Sequence, residues 1–277
     1  MLLRRIFSTL FWVFMIVSSI ALFPIALLIW ALTVLFDRRL VLLHRFTCFW
    51  ASLYTWFNPA WRVHIEGREK IVDGTAYVMV ANHQSLLDIL VLFRLFAHYK
   101  WVSKIENFRI PCVGWNMSLN RYIKLRRGDR DSVQEMMTAC EKTLADGSSI
   151  MMFPEGTRSM DGRLKAFKHG AFTLAQRMRA PILPIVVEGT AAALPKHGFI
   201  LQGRHAIRIR VLDAIPYTRF ANESVEALTD RVRSVIAAEL DPGFAEGSSN
   251  WPRRCEGLSP APEPGGDRAR AGGTAVS

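Results

Sequence analysis

Residues Ile6 to Phe36 run for 31 positions without a charge, bracketed by Arg4-Arg5 and by Asp37-Arg38-Arg39. A soluble fold has little room for so long an apolar stretch. As one straight helix it would reach about 46 Å, against ~30 Å of bilayer hydrocarbon. Pro24 divides it into 18 and 12 residues and, lacking an N–H, is expected to kink or break the helix. Two arrangements fit: a tilted, kinked span, or a helical hairpin that enters one leaflet and returns. A cleaved signal peptide fits poorly, because the run is too long and lacks a small-residue cleavage site. Arginines at both ends leave the orientation open. Leu40 to Ala60 is a second apolar segment, rich in aromatics (Trp50, Tyr54, Trp56, then Trp61). It suits a helix at headgroup level and equally a helix packed on the domain that follows.

From Trp61 the pattern changes to alternating strands and helices. Strands are expected at Val63–Ile65, 76–81, Trp101–Ser103, Ser149–Phe153, Ile182–Val187 and Ala206–Leu212. Helices are expected at 86–97, from an N-cap at Asp131 to about Ala145, at Ala171–Arg179 and at Asn222–Leu240. This alternation predicts an α/β fold with a mostly parallel central sheet and flanking helices, preceded by the helical membrane segment. The last 37 residues hold 5 Pro and 7 Gly with few large apolar side chains, the composition of a disordered tail. The expected division is therefore 1–60 membrane-associated helices, 61–240 α/β domain, and 241–277 disordered tail.

The net charge of +11 is concentrated: eight Lys/Arg between Lys100 and Arg130 face only Glu106 and Asp129. That points to an anionic partner such as phosphate or acidic lipid. No nucleic-acid-binding motif accompanies it. The four cysteines show neither paired spacing nor C-x-x-C, and the seven histidines form no H-E-x-x-H, so neither a disulfide framework nor a metal site is expected.

Two loops carry chemistry. The first is Asn82-His83-Gln84-Ser85-Leu86-Leu87-Asp88, between an apolar strand and a helix. In one continuous helix, positions i and i+5 point about 140° apart, so His83 faces Asp88 only from the turn before the helix. Ser85 as N-cap, with Asp88 three residues on, supports that placement. The same residues also read as an ordinary capping box after a polar turn, and this stretch alone leaves both readings open. The second loop is Phe153-Pro154-Glu155-Gly156-Thr157-Arg158, directly after a buried strand. In open α/β sheets, ligands bind at the carboxyl ends of strands. There, Gly156 admits a close approach and Arg158 offers a fork suited to phosphate.

Asn82-His83-x-x-x-x-Asp88 and Phe153-Pro-Glu-Gly-Thr-Arg158 resemble the first and third motifs of the glycerolipid acyltransferase family, most closely the 1-acylglycerol-3-phosphate acyltransferases. Ala180-Pro-Ile-Leu-Pro-Ile-Val-Val-Glu-Gly189 resembles the fourth. Lys104, Pro111, Gly114 and Tyr122-Ile-Lys-Leu-Arg-Arg127-Gly128 resemble the second, with one departure: Arg121 stands where the family usually has glycine. The offset makes Arg127 the equivalent of the phosphate-binding arginine, with Arg126 its neighbour.

The resemblance implies a membrane-bound enzyme that moves an acyl group from acyl-CoA or acyl carrier protein to the sn-2 hydroxyl of lysophosphatidic acid, giving phosphatidic acid without a cofactor or metal. His83 would be the general base, since an unperturbed imidazole titrates near ~6.5, and Asp88 would orient it. The acceptor's own hydroxyl attacks, so no enzyme nucleophile is needed. Glu155, Gly156, Thr157, Arg158 and Arg127 would hold the glycerol phosphate. Lys104 is a further candidate that reads equally well as a solvated surface charge. Both donors are cytosolic, so the catalytic domain is expected to face the cytoplasm from the membrane. Arg121 motivates an alternative acceptor, another lysophospholipid or lyso-aminolipid. A non-catalytic acidic-lipid tether, indifferent to His83, is the reading from a different class.

Overall fold

The computed structural model describes residues 2–159, 163–196, 198–241 and 244. Seven strands form one sheet: β1 (Trp61–Glu66), β2 (Val78–Ala81), β3 (Tyr99–Lys104), β4 (Ile123–Leu125), β5 (Ser149–Met152), β6 (Ile182–Glu188) and β7 (His205–Val211). Their order is β1-β7-β6-β2-β5-β3-β4. The five strands from β6 to β4 are mutually parallel, β7 runs antiparallel to β6, and β1 is parallel to β7. The carboxyl ends of five strands therefore share one edge.

Every residue of β2, β5 and β6 is buried, as expected where helices cover both faces of a parallel sheet. Side chains alternate between two cores. Met79, Met151 and Leu183 join one core, which is covered by α1 (Leu2–Thr33), α2 (Val41–Trp56), α3 (Leu87–Leu92) and α4 (Val113–Leu119). Val78, Val80, Ile150 and Ile182 join the other, under α5 (Arg130–Ala145), α6 (Gly170–Met178) and α8 (Val225–Glu239).

The amino-terminal segment departs from expectation. Helix α1 continues through Pro24 for 32 residues, so the apolar run neither breaks nor turns back on itself there. The return comes just beyond it, where Asp37 Oδ2 accepts the Leu42 N–H at 2.8 Å and Leu40 takes a left-handed conformation. Ser19, Ala26 and Thr33, seven residues apart, are buried on the inner face of α1. Along its length α1 is bound to the domain. Ser8 Oγ accepts the Leu201 N–H at 2.9 Å, Trp12 Nε1 donates to Phe199 O at 2.7 Å, and the Tyr54 hydroxyl lies 3.0 Å from Ser18 Oγ. Phe23 meets Trp115 edge-on. In α2, Trp50 and Tyr54 pack inward, as does Trp61 after it, while Trp56 is exposed.

Other boundaries move for local reasons. The N-cap of α5 is Asp129, whose side chain accepts the Ser132 N–H, rather than Asp131. The strand and helix expected at 76–81 and 86–97 are shorter, the helix tightening into a 3₁₀ turn at Phe93–Leu95. The tail expectation falls almost wholly outside the described residues.

A short helix, α7 (Thr190–Ala193), follows β6 through Gly189, which has φ +82°. A Cβ at Gly189 would stand 2.1 Å from Ala206 O. Gly189→Ala is therefore expected to cost at least about 2 kcal/mol of stability, read from chemical denaturation. A change below 0.5 kcal/mol, roughly the surface-substitution range, would contradict this account of the turn.

Candidate active site

The site begins where β2 leaves the sheet. Asn82 imitates one more ladder residue with its side chain: Nδ2 donates to Val187 O and Oδ1 accepts the Val187 N–H, both at 2.8 Å. That frees the main chain to turn, and His83 occupies the turn ahead of α3. Its backbone is held on both sides, the N–H by Glu155 Oε1 at 2.6 Å and the carbonyl by the Ser159 N–H at 2.8 Å. The imidazole stacks on Phe153, with centroids 3.9 Å apart and planes 9° from parallel.

His83 Nδ1 lies 2.8 Å from Asp88 Oδ2. Asp88 is fully buried. The same oxygen accepts the Gln84 and Ser85 N–H groups at 2.6 and 2.8 Å, and Oδ1 accepts the Thr190 hydroxyl. An ionised carboxylate only accepts, so the Asp88 contact places the imidazole proton on Nδ1 and leaves Nε2 with a free lone pair. Nε2 makes no hydrogen bond among the described residues. Ser85 is not the residue that caps α3 from its flank, because the helix begins one residue later than its N-cap role requires. Its hydroxyl donates instead to Leu194 O at 2.6 Å and accepts weakly from the Leu87 N–H at 3.3 Å.

Glu155 is buried, and its second oxygen accepts the Lys165 N–H at 3.1 Å. Burial pushes its carboxyl above the usual 4.5, against the lowering effect of the two N–H donors. Gly156, at φ +69°, turns the loop, and a Cβ there would press on the Lys168 side chain at 2.9 Å. Thr157 and Arg158 are half-buried beside it. The Arg158 carbonyl accepts from both Lys165 Nζ, at 3.0 Å, and Lys196 Nζ, at 2.9 Å.

The structure thus brings His83, Asp88 and Glu155 into one hydrogen-bonded unit, with Gly156, Thr157 and Arg158 alongside. Lys104 ends β3 and Arg127 follows β4 on the same sheet edge, but neither touches that unit. Lys104 is exposed and paired with Glu106 at 3.3 Å. Arg127 is exposed, and its neighbour Arg126 pairs with Asp129 at 3.3 Å. Arg121 precedes β4, at the opposite edge, where it reaches Arg38 O at 3.3 Å. Its φ of +55° accounts for the glycine usual at that position. Thr190, Phe153 as a stacking platform, Lys165 and Lys196 were not legible in the sequence pattern. The strand-Gly-Thr order at 188–190 was the one signal for Thr190.

Beside the unit lies a cavity of about 360 Å³. Its lining is mainly apolar and includes Trp12 and Met15 of α1, Trp50 and Ala51 of α2, Trp101 of β3, and Phe153 just after β5. Phe153 therefore has the imidazole stacked on it and also borders the cavity. No group of three or more His, Cys, Asp or Glu able to hold a metal occurs among the described residues.

A strand-delivered histidine paired to a buried aspartate thus stands beside a cationic loop. The acyltransferase family model matches residues 62–188, spanning all these loops but the one that carries Thr190 and Lys196. The chain is 35% identical over 245 residues to the 1-acyl-sn-glycerol-3-phosphate acyltransferase of Chlamydomonas reinhardtii, covering 87% of this chain and 71% of that protein. It is 36% identical over 211 residues to the chloroplastic enzyme of that name from Arabidopsis thaliana, covering 75% of this chain but 57% of that one. The crystal structure of the 1-acyl-sn-glycerophosphate (LPA) acyltransferase of Thermotoga maritima shares the fold. It has a TM-score of 0.67 at 24% identity, over 86% of this chain and 99% of that one. The chain belongs to the acyltransferase family, among proteins named 1-acyl-sn-glycerol-3-phosphate acyltransferases.

Thr190→Val removes the one side-chain hydroxyl donor to a buried carboxylate. It is expected to lower stability by about 2 kcal/mol, in the range of hydrogen bonds to charged groups. Equilibrium denaturation measures this, and an unchanged midpoint would remove Thr190 from the unit.

Proposed function

We propose that the protein transfers a fatty acyl group from an acyl thioester to the sn-2 hydroxyl of lysophosphatidic acid, giving phosphatidic acid. The observation that carries this reading is His83. Its Nδ1 is committed to Asp88, and its Nε2 lone pair is unengaged at the edge where the cationic loop and the apolar cavity meet.

In the proposed step, Nε2 takes the proton of the acceptor hydroxyl as its oxygen attacks the thioester carbonyl. Asp88 stabilises the imidazolium so formed. When the tetrahedral intermediate collapses, the C–S bond breaks and the thiolate takes the proton back from Nε2. The products are an ester and a thiol, and His83 is restored. Glu155 acts by holding the His83 turn, since its two oxygens accept backbone N–H groups. Gly156, Thr157 and Arg158 take the glycerol phosphate, and Arg127 and Lys104 stand on the approach along the sheet edge. The acyl chain takes the cavity under α1 and α2, a volume within the usual range for small-molecule sites. Helix α1 exposes most of its apolar residues while lying along the domain, which supports an anchor that seats the cavity side on the membrane. Acyl-CoA or acyl carrier protein serves as donor, and the catalytic domain faces the cytoplasm where both occur. The position of Arg121, on the far edge, gives no support to an alternative acceptor.

The first test is thiol release from acyl-CoA by detergent-purified protein, with and without lysophosphatidic acid. Release should require the acceptor and fall by roughly 10²–10⁴-fold in His83→Ala, the contribution of a positioned general base. Near-normal transfer by a folded His83→Ala protein would overturn the assignment. The acyl-chain position makes a separate prediction. Ala51→Phe adds bulk to the cavity wall, so it should lower kcat/KM for long acyl chains more than for short ones. An equal effect on all lengths would place the chain elsewhere.

A further inference from the structure

Lys165 and Lys196 both donate to one atom, the Arg158 carbonyl oxygen, so their ammonium nitrogens lie within about 6 Å of each other. The Arg158 charge also acts on the Lys196 ammonium. No carboxylate among the described residues pairs with any of the three. Lys104 and Arg126, by contrast, have acidic partners in Glu106 and Asp129. Burial and the charges of Lys165 and Arg158 hold the Lys196 ammonium below the usual lysine range, the direction expected of a cation crowded by cations.

The crowding is braced from below. The Lys165 N–H is held by Glu155, which also holds the His83 N–H. Lys196 follows two residues after Leu194, whose carbonyl accepts the Ser85 hydroxyl next to the His83 turn. Both lysines are thus tied through short hydrogen-bonded links to the base itself. Like charges held together at a fixed distance from a reactive group make a site for a multiply charged anion.

We infer that Lys165 and Lys196 complete, with Arg158, a three-cation seat for the phosphate of the acceptor, and that this seat selects a phosphate monoester over a phosphodiester. This rests on the proposed acceptor chemistry. A monoester phosphate carries close to two negative charges at neutral pH and three terminal oxygens, so it can meet three cations at once. A diester head group carries one charge and has one oxygen fewer to offer. The sn-2 hydroxyl of lysophosphatidic acid lies only a few bonds from its phosphorus. A phosphate seated at Arg158, whose next residue donates to the His83 carbonyl, therefore keeps that hydroxyl near Nε2.

The test is steady-state kinetics of the detergent-purified full chain, varying lysophosphatidic acid and acyl-CoA separately, with lysophosphatidylglycerol as the diester comparison. In Lys196→Gln and in Lys165→Gln, KM for lysophosphatidic acid should rise about tenfold or more, as for a lost hydrogen bond to a charged group. The loss should fall on KM rather than kcat, with KM for acyl-CoA little changed, and the preference for the monoester over the diester should shrink. Lys196→Arg keeps the charge and should recover most of the loss, which a purely structural role for the lysine side chain would not predict. An unchanged KM for lysophosphatidic acid in both folded variants would overturn the inference. So would a rise confined to the KM for acyl-CoA, which would assign the seat to the donor's phosphates. Absence of acceptor-dependent release in the unmodified protein would instead strike the proposed function itself.

Discussion

A buried carboxylate has to be surrounded by donors or lose its charge, and Asp88 is the point in this fold where that demand is met. It takes four donors: the His83 ring, the Gln84 and Ser85 N–H groups, and the Thr190 hydroxyl. Two of these are main-chain groups at the mouth of α3, where unpaired N–H groups already favour an anion. The other two come from separate directions. Their geometry therefore fixes the turn after β2 and the turn after β6 relative to each other. The left-handed conformation of Gly189 is part of the same constraint, because it brings Thr190 over Asp88 against the β7 backbone.

A second buried carboxylate, Glu155, ties the loop after β5 to this assembly. Its oxygens bridge the His83 and Lys165 N–H groups, so three loops from three parallel strands are joined by side chains rather than by ladder bonds. The arrangement costs desolvation, visible in the raised carboxyl of Glu155. It is offset by hydrogen bonds that also immobilise the imidazole. Phe153 adds the remaining restraint by stacking on the ring, leaving Nε2 as the one ring atom with capacity to act.

Much of this could be read from the chain alone, for identifiable reasons. Strands β2, β5 and β6 are unbroken apolar runs, and both site loops follow such runs directly, so pattern and position agreed. The i+5 spacing of His83 and Asp88 was informative because helix geometry forbids the pair within one helix. What was illegible depended on distance in sequence. Thr190 reaches Asp88 across 102 residues, and Lys196 reaches Arg158 across 38. Beyond the Gly-Thr step that follows β6, nothing local marks either contact. β4 and α4 are too short for periodicity to show. Pro24 left a kinked span and a break both open, and the helix continues through it: a proline removes one hydrogen bond and adds a local clash, and those losses do not break α1.

The two faces of the sheet edge have opposite characters, and the proposed chemistry requires both. A lysophospholipid and an acyl thioester each join an apolar chain to a charged head, and the reacting atoms lie at the junction. Here the apolar cavity reaches the edge at Phe153, while Arg158, five residues later in the same loop, faces Lys165 and Lys196. One turn of chain at Pro154–Gly156 thus separates an apolar environment from a cationic one. His83 is stacked against the first and hydrogen-bonded through its carbonyl to the second. Under the proposed chemistry, a base located at that boundary would meet a hydroxyl only when the molecule carrying it satisfies both sides. On that proposal, selectivity for the acceptor would follow from where the sheet places the two loops rather than from any contact to the hydroxyl itself.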